Sequence, residues 1–371
     1  MSNYFKQHIR FSRLVVCVFP LLSFGELLFA QGKQSEEVQD SISAYNTNFA
    51  KKIEADKMYN TGVEDFGAKK YHEAIRNFKR AIEIYPDYKN AYLNIGTAYM
   101  ELKDYEKSIS EFNQFIISNP NFVSAYYNRG KAYFLSANYN LAYLDFEKAI
   151  TLDSTHSNAY YYSGLIDFLN ENYQSSKENY TLAIKYQPNF AYAFNDRGSA
   201  NRKLGELENA ISDYSKSLEL DSTLAFSFNN RGSCHKQLTN LDKAITDYSQ
   251  AVQLDPNYYI AYNNLGSAFY EQGNYQEAIA EFDRALKIKP DYTYALNNRG
   301  YTKVKLALHL KAIKDFDKAI ALDSNYGYAY LNRGIAKELI RDHTGACIDW
   351  EKAKELGVKN GKIFFEQDCN K

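Results

Sequence analysis

The chain has 371 residues, 24% of them charged, with a formal net charge of −1, so it has no surplus of either sign to draw it to nucleic acid or an anionic membrane surface. Thirty-four tyrosines and 23 phenylalanines against six prolines describe a helix-rich chain with a large supply of flat, amphipathic surface. A length that would otherwise suggest two or three globular domains is overridden by an internal repeat.

In chain order, residues 1–30 come first. Lys6, Arg10 and Arg13 precede an apolar run from Leu14 to Phe24, and a second apolar patch ends at Ala30. This is the layout of a secretory signal peptide cleaved after Ala30. Pro20 and Glu26 interrupt the run and make a poor membrane span, which leaves a retained inner-membrane anchor as the alternative. The mature chain is then exported, to the periplasm or surface of a bacterium, and touches a membrane only through this segment if it stays uncleaved. Residues 31–54 form a linker in which Ile42, Tyr45, Phe49 and Ile53 stand at near-helical spacing, predicting a helix that leads into the segment beginning at residue 55.

From residue 55 to residue 360 the chain repeats itself nine times, from 55–88 to 327–360. Gly62, Gly96, Gly130, Gly164, Gly198, Gly232, Gly266, Gly300 and Gly334 are each 34 residues apart, without insertion or deletion. Twelve residues after each glycine stands a small residue, from Ala74 to Ala346, and sixteen after it an aromatic one, from Phe78 to Trp350. Pro86, Pro120, Pro188, Pro256 and Pro290 all fall 24 residues after a glycine. Spacings of three, four and seven around each turn predict two amphipathic helices per repeat, brought close by the small residues, with the aromatic filling the space between one repeat and the next. One such hairpin buries too little to be stable alone, so neighbours must stack. Phe115 replaces a small residue in repeat two, where the seam is expected to pack differently. Residues 361–371, with Ile363, Phe364 and Phe365, read as a short C-terminal cap.

This column pattern resembles the tetratricopeptide repeat family over residues 55–360. The resemblance implies an all-α, right-handed superhelical solenoid whose first helices line a concave groove in which partners bind. An asparagine column two residues before the glycine faces that groove in the family: Asn60, Asn94, Asn128, Asn230, Asn264, Asn298 and Asn332, broken by Tyr162 and Asp196. A row of primary amides can grip an extended peptide main chain, or it can bond the neighbouring repeat; asparagine is a mediocre helix former, which favours the first use. Tyr127, Phe134, Tyr161, Tyr162 and Phe168 fall in groove columns and form either an anchor pocket or a collapsed wall. Arg202, Lys203 and Lys236 are a smaller basic group there, matched elsewhere by Glu101, Glu271 and Glu338. The carboxylate-clamp mode known in the family needs basic residues at earlier groove columns, where this chain has Tyr, Asn and Leu.

Five repeats carry an arginine just before the glycine and an aspartate fifteen after it: Arg129 with Asp145, Arg197 with Asp213, Arg231 with Asp247, Arg299 with Asp315, and Arg333 with Asp349. Facing columns in a hairpin predict five structural salt bridges, partly exposed and serving to fix register. Cys347 and Cys369 are either a disulfide stapling the cap or two free thiols, and Cys234 reads as a small core residue. The six histidines lack metal spacing and catalytic partners, and every repeated glycine is mid-helix, so neither metal, cofactor nor catalysis is expected. The expected function is a non-catalytic scaffold holding a protein or peptide segment in the groove; the alternatives are glycan binding by the tyrosine-rich wall, or a structural subunit of an envelope assembly.

Overall fold

The computed structural model describes residues 24–369, with side chains from residue 38 onward. Among these residues every regular element is helical. The chain divides into two compact units, Met1–Ser118 and Asn119–Lys371. The first contains α1 (Phe24–Gly67), α2 (Tyr71–Ile84), α3 (Lys89–Glu101) and α4 (Tyr105–Ser118). The second begins with α5 (Val123–Leu135), α6 (Tyr139–Leu152), α7 (Ser157–Leu169), α8 (Tyr173–Tyr186), α9 (Ala191–Lys203), α10 (Leu207–Leu220), α11 (Ala225–Gln237) and α12 (Leu241–Leu254). It continues with α13 (Tyr259–Glu271), α14 (Tyr275–Ile288), α15 (Thr293–Lys305), α16 (His309–Leu322), α17 (Gly327–Leu339), α18 (His343–Glu355) and the six-residue α19 (Lys359–Phe364).

Within each unit every helix packs on its neighbours in sequence, so consecutive hairpins stack as a solenoid. In the second unit the first helices of adjacent repeats also touch, α7 on α9, α9 on α11, and so on to α15 on α17, which makes them one wall. The repeated aromatic makes two sets of contacts. It lies over its own repeat's glycine, where a Cβ on Gly96 would stand 2.5 Å from the Phe112 ring and one on Gly300 2.7 Å from Phe316. It also reaches the next repeat, as expected: Phe146 stacks on Tyr162 with centroids 5.3 Å apart, and Tyr248 shares a buried cluster with Leu265 and Ala268. Phe112 and Phe316 are both fully buried, so the column is the core of each hairpin. The division between units comes after repeat two, where Phe115 stands in a column that is otherwise alanine or serine, as at Ala149, Ala183 and Ser217. Its buried ring packs on Tyr92 within the first unit, with centroids 5.6 Å apart.

A column that sequence types conceal joins the two helices of every repeat. Seven residues after each glycine the backbone is left-handed, at Lys69, Lys103, Ala137, Glu171, Gly205, Thr239, Gly273, Ala307 and Arg341. Only two of the nine are glycine, so seven side chains are held in a region L-residues avoid. Gly273 has φ +86° and nothing within 4 Å of a built Cβ, which isolates backbone strain from packing. Gly273→Val is therefore expected to lose about 1 to 2 kcal/mol in urea unfolding, the cost of the left-handed conformation alone; unchanged stability would show that the turn adapts.

At the N-terminal end residues 31–54 are helical and run without a break into the first helix of repeat one, because no glycine or proline interrupts residues 33–61. Val38, Ile42, Tyr45, Phe49 and Ile53 line one face of α1 and are 51–70% exposed. Among the described residues no helix is long and apolar enough to cross a membrane. Of residues 1–30, expected from the sequence to be a signal peptide, residues 1–23 lie outside the described residues and Phe24 to Ala30 fall within α1. At the other end the cap starts at Lys359, earlier than expected, and folds back on α18: Phe364 packs on Trp350 at 5.3 Å between centroids, and Cys347 and Cys369 form a disulfide with Cα atoms 5.7 Å apart.

Candidate functional site: the seams between repeats

The first helices carry two adjacent columns, three and two residues before the glycine, that meet across the seams within each unit. In the second unit Asn230 Nδ2 donates to Asn195 Oδ1 at 3.3 Å, Asn264 to Asn229 at 2.8 Å, Asn298 to Asn263 at 3.0 Å and Asn332 to Asn297 at 2.9 Å. In the first unit Asn94 Nδ2 donates to the Tyr59 hydroxyl at 3.0 Å. Each of these amides thus spends one N–H on the preceding repeat instead of standing wholly free for a ligand. The asparagine row is a ladder that sets one repeat on the next, and its acceptors, Asn195, Asn229, Asn263 and Asn297, are buried. Their identity was readable: each is an asparagine 35 residues ahead of another. Asn332 is itself buried, whereas Asn128, Asn230, Asn264 and Asn298 are half-buried and Asn60 is exposed.

Where the asparagine column is broken, at Tyr162 and Asp196, the residue opposite is tyrosine, Tyr127 and Tyr161. Tyr161 donates its hydroxyl to Asp196 at 2.7 Å, and burial, reinforced by that carboxylate, pushes the phenol well above its usual range. Tyr127 meets Tyr162 edge-on, and Tyr162 also packs on Phe134 and Phe146. Tyr161 contacts Tyr180 and Phe190, while Phe168 packs on Tyr173. These rings are spent on one another, which is the collapsed wall rather than an open anchor pocket. The basic residues are likewise occupied in part: Lys236 Nζ lies 3.0 Å from Glu271 and 2.8 Å from Ser267 Oγ, and Lys203 sits over the Tyr173 ring at 5.6 Å. Arg202 has its Nε buried without a hydrogen-bond partner. Cys234 is a buried free thiol, pushed up to about 11 by burial.

All five arginines grip their aspartates with two parallel bonds. The Nη2 to Oδ1 distances are 2.6 Å for Arg129–Asp145, 2.6 Å for Arg197–Asp213, 2.7 Å for Arg231–Asp247, 2.5 Å for Arg299–Asp315 and 2.6 Å for Arg333–Asp349. The aspartate side chains are only 1–8% exposed, so these clamps are more buried than the sequence suggested, and breaking one strands a charge. Four arginines also reach the second helix of the preceding repeat through Nη1: Arg197 to Thr181, Arg231 to Ser215, Arg299 to Asp283 and Arg333 to Asp317. Each of these four clamps therefore ties a hairpin together and staples it to its neighbour, and the stapling is invisible in residue spacing. Repeats one and four lack the arginine and exchange the residues: Asp65 accepts from Asn77 and Asp167 from Asn179, both at 2.8 Å. The acid has moved from the second helix to the first.

The fold and its seams define a helical-repeat protein of stacked hairpins. Family models described as tetratricopeptide repeat match residues 65–132, 123–156, 191–224, 231–293 and 293–326, together more than half of the chain. The chain belongs to the tetratricopeptide repeat family. Among solved structures it is similar to the Cut9–Hcn1 hetero-tetramer of the APC/C, at TM-score 0.56 and 14% identity over 86% of this chain and 77% of that one. It is also similar to a tetratricopeptide repeat protein from Parabacteroides merdae, at TM-score 0.54 and 18% identity over 67% and 99%. A third similar structure is pilF of Pseudomonas aeruginosa, at TM-score 0.51 and 19% identity over 58% and 96%. At these identities the likeness is one of fold. Comparison with curated proteins gave no match. Members of the family act in protein–protein interaction and are generally not enzymes.

Proposed function

We propose that this chain is an exported, non-catalytic scaffold that holds a segment of another protein along the wall formed by its first helices. What carries this reading is the unspent half of the amide ladder. Asn230 and Asn264 each commit one N–H to the repeat before them, and both are half-buried, so the second N–H and the carbonyl oxygen of each remain for a partner's main chain. Asn128 lies in the same column. Such bonds contribute only about 0.5 to 1.5 kcal/mol each, so affinity must accumulate along several repeats. Export is supported by the signal-like first 30 residues together with the Cys347–Cys369 disulfide, a bond that persists in oxidising compartments. No observation favours a glycan, because the rings it would stack on are packed against each other.

The test is native pull-down of the mature chain followed by hydrogen-exchange mapping of the complex. Protection by a bound protein along α11, α13 and α15 supports the reading; protection confined to the second helices of the repeats overturns it. The ladder adds a condition. Alanine at Asn230, Asn264 and Asn298 together is expected to weaken the partner and also to lower stability by about 0.5 to 1.5 kcal/mol per site, since each amide also bonds its neighbour. A binding loss seen only under conditions where the variant has begun to unfold would count against direct contact.

A further inference from the structure

In the second unit the seam between repeats three and four differs from its neighbours in a way that leaves a charge unmatched. Asp167, on α7, is 7% exposed, and its carboxylate accepts from Asn179; among the described residues no cation lies within ion-pair distance of it. At the place where other repeats carry the clamping arginine stands Ser163, fully buried, its Oγ without a hydrogen-bond partner. The surroundings that an arginine uses elsewhere are nevertheless retained. The second-helix position of the preceding repeat that accepts from arginine Nη1 at Thr181, Ser215, Asp283 and Asp317 is here Glu147, an exposed carboxylate with no ion-pair partner among the described residues. The aromatic over which arginines lie at 5.4–5.5 Å in Phe194, Phe228 and Tyr330 is here Tyr160.

Beside Asp167 opens a cavity of about 360 Å³ between α6 and α7, lined by Asn140, Tyr143, Leu144, Ile166, Asp167 and Asn170. We propose that this cavity receives the guanidinium group of an arginine on a partner polypeptide, seated against the Asp167 carboxylate. Leu144 and Ile166 offer apolar wall to the methylene stem, and Asn140 and Asn170 offer amide oxygens to the remaining N–H donors. A planar fork that pairs in two places suits this seat better than an ammonium, as it does at the five clamps built from the chain itself. Burial raises the Asp167 carboxyl above its ordinary value and the Glu147 charge raises it further, so a cation arriving there relieves a standing cost. At the corresponding exchange of Asp65 and Asn77 in repeat one, α1 runs back without a break to Phe24, so among the described residues no second helix precedes it to supply the other wall. None of the residues lining this cavity belongs to the amide ladder, so the site stands or falls apart from it.

The full chain, labelled with 15N at asparagine, is titrated with acetyl-Gly-Arg-Gly-amide, with the citrulline peptide as neutral isostere and with free arginine amide. Saturable shifts of the Asn140 and Asn170 side-chain amides by the arginine peptide are expected, with binding at least ten-fold weaker for citrulline. Asp167→Asn should weaken the arginine peptide at least ten-fold. Glu147→Gln, exposed and outside the cavity lining, should weaken it by a smaller factor without unfolding the chain. Equal binding of citrulline, or indifference to both Asp167→Asn and Glu147→Gln, overturns the proposal. Free arginine amide binding as tightly as the peptide would overturn its polypeptide source.

Discussion

Arg129→Leu is expected to lose about 3 to 5 kcal/mol of stability in the second unit, the cost of stranding a buried carboxylate. Asp145 is 5% exposed, and its two bonds to Arg129, at 2.6 and 2.8 Å, are its ion-pair contacts. The comparison that isolates the effect is the double variant Arg129→Leu with Asp145→Leu, which removes both charges and should recover most of the loss. Acidity supplies an independent check. Burial already raises the Asp145 carboxyl above its ordinary value in spite of Arg129. In the single variant that carboxyl binds a proton more tightly folded than unfolded, so its penalty is fully present above the raised folded value. The deficit relative to wild type should therefore shrink as the pH falls through that value. A deficit that stays constant as the medium is acidified would mean that the aspartate escapes to solvent.

The second large effect concerns the hairpin core. Phe316→Ala removes a fully buried ring from over Gly300 and is expected to cost about 3 to 5 kcal/mol. Gly300→Ala places a methyl 2.7 Å from that ring and should cost about 1 to 3 kcal/mol through overpacking. Because the methyl and the ring occupy the same space, Gly300→Ala should be tolerated better when Phe316 is leucine than when it is phenylalanine. Additive losses in this cycle would show that the two residues do not share a contact.

These two predictions concern features of different legibility. The glycine and aromatic columns recur at a constant interval, and the arginines appear in the same five repeats as their aspartates, so their association is visible in a single chain. The local chemistry of such pairs lies within one hairpin, sixteen residues apart, where helix periodicity predicts which side chains face each other. The second hand of each arginine, reaching Thr181, Ser215, Asp283 or Asp317, crosses from one repeat to another and has acceptors of differing type. Likewise the amides of Asn195, Asn229, Asn263 and Asn297 gain meaning only when the next repeat is laid against them. The left-handed turn residues run from lysine to threonine to glycine, since the closed hairpin imposes that conformation whatever side chain is present.

By itself, the amino-acid order determined the all-helical repeat, the number of its copies in register, the paired clamps and the family, because each rests on periodicity and on contacts within one hairpin. Only the tertiary structure decided that the asparagine row is half spent between repeats, that the aromatic wall is closed, that α1 runs unbroken from Phe24 into repeat one, and that Asp167 lies buried with no cation beside it among the described residues. Those outcomes depend on how surfaces some 35 residues apart in the chain meet in space, and on the desolvation of polar groups when they do.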